Sequence, residues 1–160
     1  MKFFPLTAAM FGALGTTAQA GEYCTIDESV MFDCTFNGGK KAVEVCDTNY
    51  WADGDNAAYG FFKTGGEIEK EIITDKASLN VTPWNGVGSS IWETVTFYSG
   101  DYGYEVWWSV ARSDDASPLD GGITVTQSGA VLAELSCDEG SVQQQLGLLI
   151  EAVEAAQISP

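Results

Sequence analysis

The chain has 160 residues, carries 7 Lys and Arg against 23 Asp and Glu for a formal net charge of −16, and contains no histidine. A charge this negative argues against binding nucleic acid or anionic lipid by charge, and it favours cationic partners. Without histidine there is no Ser-His or Cys-His catalytic pair, and the commonest zinc ligand is missing.

Residues 1–20 read as a secretory signal peptide. Lys2 gives the positive start, Phe3 to Gly15 the apolar run, and Ala18-Gln19-Ala20 a small-residue cleavage site. The run is too short for a membrane helix, which needs about 20 residues. The expected mature protein is one domain over residues 21–160, periplasmic or extracellular, with no transmembrane anchor. All four cysteines, Cys24, Cys34, Cys46 and Cys137, fall in that part. An even number in an oxidising compartment implies two disulfides, and the spacing leaves all three connectivities open. No C-x-x-C occurs, so no zinc or thioredoxin-like site is expected, and no cofactor.

From Ser29 to Phe36, Val30, Phe32, Cys34 and Phe36 alternate with Met31, Asp33 and Thr35, the period of a half-buried strand. Asn37-Gly38-Gly39 turns the chain, and Lys41 to Cys46 returns with Val43 and Val45 on one face. The polar stretch Asp47 to Asn56 has the carboxylates of a calcium loop. Laid on the EF-hand pattern with Gly54 at the turn, however, it puts Trp51 at a ligand position and Gly60 at the bidentate one, so it reads as a solvated loop with no metal. Ala58 to Lys63 and Glu67 to Ile73 form a second hairpin across Thr64-Gly65-Gly66, with Ile68 and Ile72 inward and Glu67, Glu69 and Glu71 outward. Asp75 to Ser90 is a Pro- and Gly-bearing connector whose Trp84 is expected to anchor on the core.

The stretch Ile91 to Val110 organises the rest. A two-residue turn at Ser99-Gly100 sets Phe97 across from Tyr102, Val95 from Tyr104 and Glu93 from Val106. On the other face it sets Thr96 across from Gly103, Thr94 from Glu105 and Trp92 from Trp107. Tyr102, Tyr104, Val106, Trp108 and Val110 then form the buried face, leaving Thr94, Glu105, Ser109 and the Trp92/Trp107 pair at or near solvent. After a polar loop from Ala111 to Gly122, Ile123–Gln127 and Ala130–Cys137 make a third hairpin about Ser128-Gly129. Ser141 and Gln144 fit a capping box, predicting a helix that buries Val142, Leu146, Leu149, Ile150 and Val153 and turns Glu151 and Glu154 outward. Short strands at regular spacing predict a mainly β antiparallel sandwich or barrel of about eight strands built from hairpins, with one C-terminal helix.

No carboxylate spacing marks a glycosidase pair, and Glu93 and Glu105 fall on opposite faces, so no enzyme is expected. Recognition remains. The Trp92/Trp107 pair with Thr94 and Glu105 suits a sugar or peptide surface, since indoles bring large contact area at small entropic cost.

Three segments, CTFNGGKKAVEVCD at Cys34 to Asp47, PWNGVGSSIWETVTFYSGDYGYEVW at Pro83 to Trp107 and GGITVTQSGAVLAELSCD at Gly121 to Asp138, resemble a family of small exported β-proteins of proteobacteria whose function is uncharacterised. Ser99-Gly100-Asp101-Tyr102, followed by Tyr104, is similar to the loop that periplasmic lysozyme inhibitors present to an enzyme cleft. That resemblance implies a non-enzymatic, inhibitor-like binder of a cationic protein such as lysozyme, acting through Ser99, Gly100, Asp101, Tyr102 and Tyr104. The alternative is a carbohydrate or envelope-polymer module acting through Trp92, Thr94, Glu105 and Trp107.

Overall fold

A computed structural model describes residues 21–25, 29–48, 55–113 and 116–159. Residues 1–20, expected to form a signal peptide, and the centre of the Asp47 to Asn56 loop, with Trp51 and Gly54, lie outside the described residues. The described strands are β1 (Val30–Phe36), β2 (Lys41–Asp47), β3 (Asn56–Lys63), β4 (Ile68–Asp75), β5 (Asn80–Thr82), β6 (Ser90–Ser99), β7 (Tyr102–Ala111), β8 (Asp120–Gln127), β9 (Ala130–Ser136) and β10 (Gln143–Gln144), followed by helix α1 (Leu146–Ile158). They form two five-stranded antiparallel sheets, ordered β10-β1-β2-β3-β4 and β5-β6-β7-β8-β9. The mainly β architecture and terminal helix match the sequence reading. The strands beyond the expected eight include β5 and β10, which are too short to carry a visible period.

The two sheets face each other across one core. Phe32, Val43, Val45 and Tyr59 come from the first, and Val95, Phe97, Val106 and Ile123 from the second. Helix α1 adds Leu146, Leu149, Ile150 and Val153, packing against β1, β5 and β6. Burying each such side chain contributes about 1.5–3 kcal/mol, which offsets the low helix propensity of Gly147.

The disulfides join Cys24 to Cys46 and Cys34 to Cys137. The second ties the inner face of the first sheet to the end of β9. The first pins the chain's N-terminal segment over the outer face of β2, so that β2 is buried from Ala42 through Cys46. There the Glu44 carboxylate accepts three backbone N–H groups, from Glu22 (2.8 Å), Tyr23 (2.9 Å) and Cys24 (2.6 Å). The Tyr23 ring fills the space above Gly60, where a Cβ would come within 2.6 Å of it, and its hydroxyl donates to Glu71 Oε2 at 2.8 Å. Burial, and then the bond to Glu71, raise the pKa of Tyr23 above the ordinary phenol value.

Three local expectations need correction. The helix starts at Leu146 rather than Ser141. Instead of capping, the Ser141 hydroxyl accepts from Thr35 N (3.2 Å) and donates to the carbonyl of Asp138 (2.7 Å). The Asp138 carboxylate accepts from the Thr35 hydroxyl and from the amides of Gly38 and Gly39. With Cys137 bonded to Cys34 beside these contacts, the chain is drawn out along β1, and Gln143–Gln144 pair there as a strand. A capping box, at about 1 kcal/mol, loses to that combination.

The central hairpin turns at Gly100-Asp101, one residue later than expected. Ser99 pairs with Tyr102, Phe97 with Tyr104, Val95 with Val106, Glu93 with Trp108, Thr94 with Trp107 and Trp92 with Ser109. The pairings of Phe97 with Tyr102, Val95 with Tyr104, Glu93 with Val106, Thr96 with Gly103, Thr94 with Glu105 and Trp92 with Trp107 are not formed. Gly100 is the residue with positive φ (63°), while Ser99 stays extended in β6. Displacing the turn by one residue moves every pair by two positions, which preserves the faces. Val95, Phe97, Val106 and Trp108 are buried as the alternation predicts. Lastly, Ile68 is 52% exposed: a bulge opposite Phe61 and Phe62 pairs it with Phe62, which stacks under Tyr23 on the outer side of the sheet, while Ile72 is buried as expected.

Candidate functional site: an aromatic groove on the outer face of the second sheet

Because facing residues share a face, the register builds the outer surface of β6 to β9 as a grid. One row reads Trp92, Ser109 and Asp120; the next Thr94, Trp107, Gly122 and Ser136; the third Thr96, Glu105, Thr124 and Glu134. A concavity of about 410 Å³ opens over these rows, lined by Trp92, Thr94, Glu105, Trp107, Ser109, Thr124, Glu134 and Ser136 among others. All four residues expected to form an aromatic face therefore line one site. Trp92 and Trp107 are diagonal rather than opposite neighbours.

Gly122 is what lets the site be concave. It pairs with Trp107, and a Cβ there would collide first with the Leu135 carbonyl oxygen of β9 and fall 2.9 Å from the indole Cζ2 atom. With no side chain at position 122, the Trp107 indole packs close to β8 and lines the groove. Trp92, 38% exposed, rises at the β6 side. Trp108 turns to the opposite face, where its Nε1–H donates to Glu93 Oε2 at 3.1 Å. Two indoles, four hydroxyls and two carboxylates thus line one open groove.

The Ser99 to Tyr104 loop lies at the far end of the same hairpin. Lys70 Nζ donates to Ser99 Oγ at 3.0 Å and sits 5.3 Å from the centroid of the Tyr104 ring. Asp101 is exposed, but its carboxylate accepts from Gln127 Nε2 (3.1 Å) and Ser128 Oγ (3.4 Å), and its carbonyl accepts from Ser128 N (2.8 Å). Tyr104 is half-buried on the inner side against Tyr59, ring centroids 5.6 Å apart. Gly100 and Asp101 form the exposed tip.

Several groove residues were not singled out by sequence reasoning. Thr124, Glu134 and Ser136 belong to the third hairpin, whose alternation with Ile123, Val125 and Leu135 does carry the signal. Joining that hairpin to β7 is a long-range pairing that no local pattern encodes. Trp84 is half-buried rather than set in the core: its Nε1–H donates to the carbonyl of Val87 (3.2 Å), and the Arg112 guanidinium lies 5.3 Å from its ring centroid. The described ends of the acidic loop close on a cation of the chain itself. The buried Lys76 ammonium lies 2.9 Å from Asp47 and 2.8 Å from Asp55. Burial alone would lower its pKa, and the two carboxylates outweigh that and hold it above the ordinary value. Among the described residues no group of three or more Cys, Asp or Glu is placed to hold a metal ion. The chain has no match among family profiles, curated proteins or solved structures.

Proposed function

We propose that this chain is an exported, non-enzymatic binding protein that takes a carbohydrate chain along the Trp92/Trp107 groove. The observation that carries the reading is a groove lined by the Trp92 and Trp107 indoles, the second packed close to Gly122, with Thr94, Ser109, Thr124 and Ser136 around them. An indole face stacks on the apolar face of a sugar ring, and hydroxyls that both donate and accept meet its edge. Glu105 and Glu134 stand two strands apart on the same face, flanking Thr124, and on this reading bound glycan is released intact. Export through residues 1–20 accords with two disulfides, which form in oxidising compartments. No helix among the described residues is long and apolar enough to cross a membrane.

The test is tryptophan fluorescence titrated with a panel of oligosaccharides. A saturable change that disappears in Trp107→Ala supports the reading. No change with any sugar at millimolar concentration defeats it.

A second reading rests on the hairpin tip, where Lys70 and Ser128 hold the exposed Gly100-Asp101 turn in one shape. A pre-ordered acidic tip on a chain of net charge −16 fits a basic protein partner such as a lysozyme, as the Ser-Gly-Asp-Tyr resemblance implies. Salt-sensitive inhibition of lysozyme that is lost in Asp101→Lys would establish it. An inert protein at micromolar concentration would dismiss it.

A further inference from the structure

We propose that the groove is selective for a glycan bearing free, protonated amino groups, an amino-sugar polymer, over neutral, N-acetylated or acidic ones. The inference rests on the carbohydrate reading and names its substrate class. Its basis is the charge of the lining. Glu105 and Glu134 flank Thr124 in a single row across β7, β8 and β9, their backbones two strand spacings, or about 10 Å, apart. The lining contains no Lys or Arg.

Several acids elsewhere in the chain are engaged within the fold, whereas Asp120, Glu139, Glu151 and Glu154, like the groove pair, have no side-chain partner among the described residues. Glu44 holds the N-terminal segment, Glu71 receives Tyr23, Glu93 receives Trp108, Asp101 receives Ser128, and Asp138 receives the amides of Gly38 and Gly39. Glu105 and Glu134 make no side-chain hydrogen bond or ion pair among the described residues.

A neutral sugar stacked on Trp107 would cover the ground between these carboxylates without answering their charge, and desolvated unpaired anions are unfavourable. An acidic sugar would be repelled outright. An ammonium on the sugar ring meets both demands, since it pairs with carboxylate and is attracted to the face of an indole. Acetylating that nitrogen removes the charge and the preference with it. A lysine-rich peptide carries the same ammonium, but Thr94, Ser109, Thr124 and Ser136 offer hydroxyls to a ligand rich in its own. The glycan fits better.

The experiment compares three oligosaccharides of equal length: an oligomer of glucosamine, its fully N-acetylated form and a neutral glucose oligomer. Binding is measured by calorimetry at a pH where the amine is protonated, with an oligolysine of matched charge as competitor. The amino oligomer should bind about tenfold more tightly than the other two, a gap of a size that one or two charge-assisted contacts supply. The gap should close in Glu105→Gln/Glu134→Gln, the amino oligomer losing affinity and the neutral oligomer gaining it. Equal binding of all three overturns the inference and leaves the carbohydrate reading standing. Displacement by oligolysine at lower concentration than the amino oligomer also overturns it, in favour of a basic peptide. If no sugar binds at all, both fall.

Discussion

Trp107 lies over Gly122, so closely that a single added carbon at position 122 would come within 2.9 Å of its ring. The pair sits on adjacent strands in direct register, and the glycine's missing side chain is the recess the indole occupies. Gly122→Ala would displace the ring and strain β8 against β9, lowering stability by roughly 1–3 kcal/mol, the usual range for overpacking. Urea denaturation reads the loss, and a shift in tryptophan emission reports the lifted indole.

Asp33 should make stability depend on pH in an unusual direction. Burial, and then the charge of Glu44 facing it from β2, push its pKa up to about 6 from an ordinary 3.8. The folded state thus binds this proton more tightly than the unfolded chain. The corresponding stability is fully present below pH 3.8 and lost as the pH rises through about 6. Asp33→Asn should therefore be more stable than the parent at neutral pH, with the difference fading as the pH falls toward 4. Asp138 acts oppositely. The amide of Gly38, the hydroxyl of Thr35 and the amide of Gly39 hold its pKa below the ordinary value, so its contribution is lost only in stronger acid. Denaturation midpoints of both proteins across that pH range check the sign.

Lys76 stands between Asp47 and Asp55 with no solvent exposure. Replacing it with methionine leaves the Asp47 and Asp55 carboxylates facing each other without the cation between them. The loss should fall at the low end of the roughly 3–5 kcal/mol typical of a broken buried pair, because Asp55 is half exposed. Adding Asp47→Asn to Lys76→Met should recover part of it in the same denaturation assay.

The two disulfides should differ in weight. Cys34–Cys137 closes a span of 103 residues and joins the sheets, while Cys24–Cys46 closes one of 22. Loop-closure entropy predicts about 4.7 kcal/mol for the long loop and roughly 3 for the short one. Paired serine substitutions, measured by thermal melting, should reproduce that order. The Cys24/Cys46 variant should additionally expose the N-terminal segment to proteolysis.

What could be read from the sequence was what a short window encodes. The buried face of β7 followed from the alternation of Tyr104, Val106 and Trp108, and it survived a displaced turn because the pairing moved by two positions rather than one. The four aromatic-face residues were legible for the same reason. The Gly122 recess was not, because it depends on which strand lies beside Trp107. Nor was the burial of Glu44 visible, since the segment that covers it is held by a disulfide whose partner the spacing left open. Ser141 carried a sound local helix signal that lost to Thr35 and Asp138, contacts about a hundred residues apart in the chain.

The most direct measurement of the central claim is the indole N–H region of the NMR spectrum during titration with the amino oligosaccharide. The account predicts that the Trp92 and Trp107 signals move saturably, while that of Trp84, bonded to Val87 and not part of the groove lining, stays in place. Signals that move at Trp84 or at the Gly100-Asp101 tip while Trp92 and Trp107 remain fixed would contradict it.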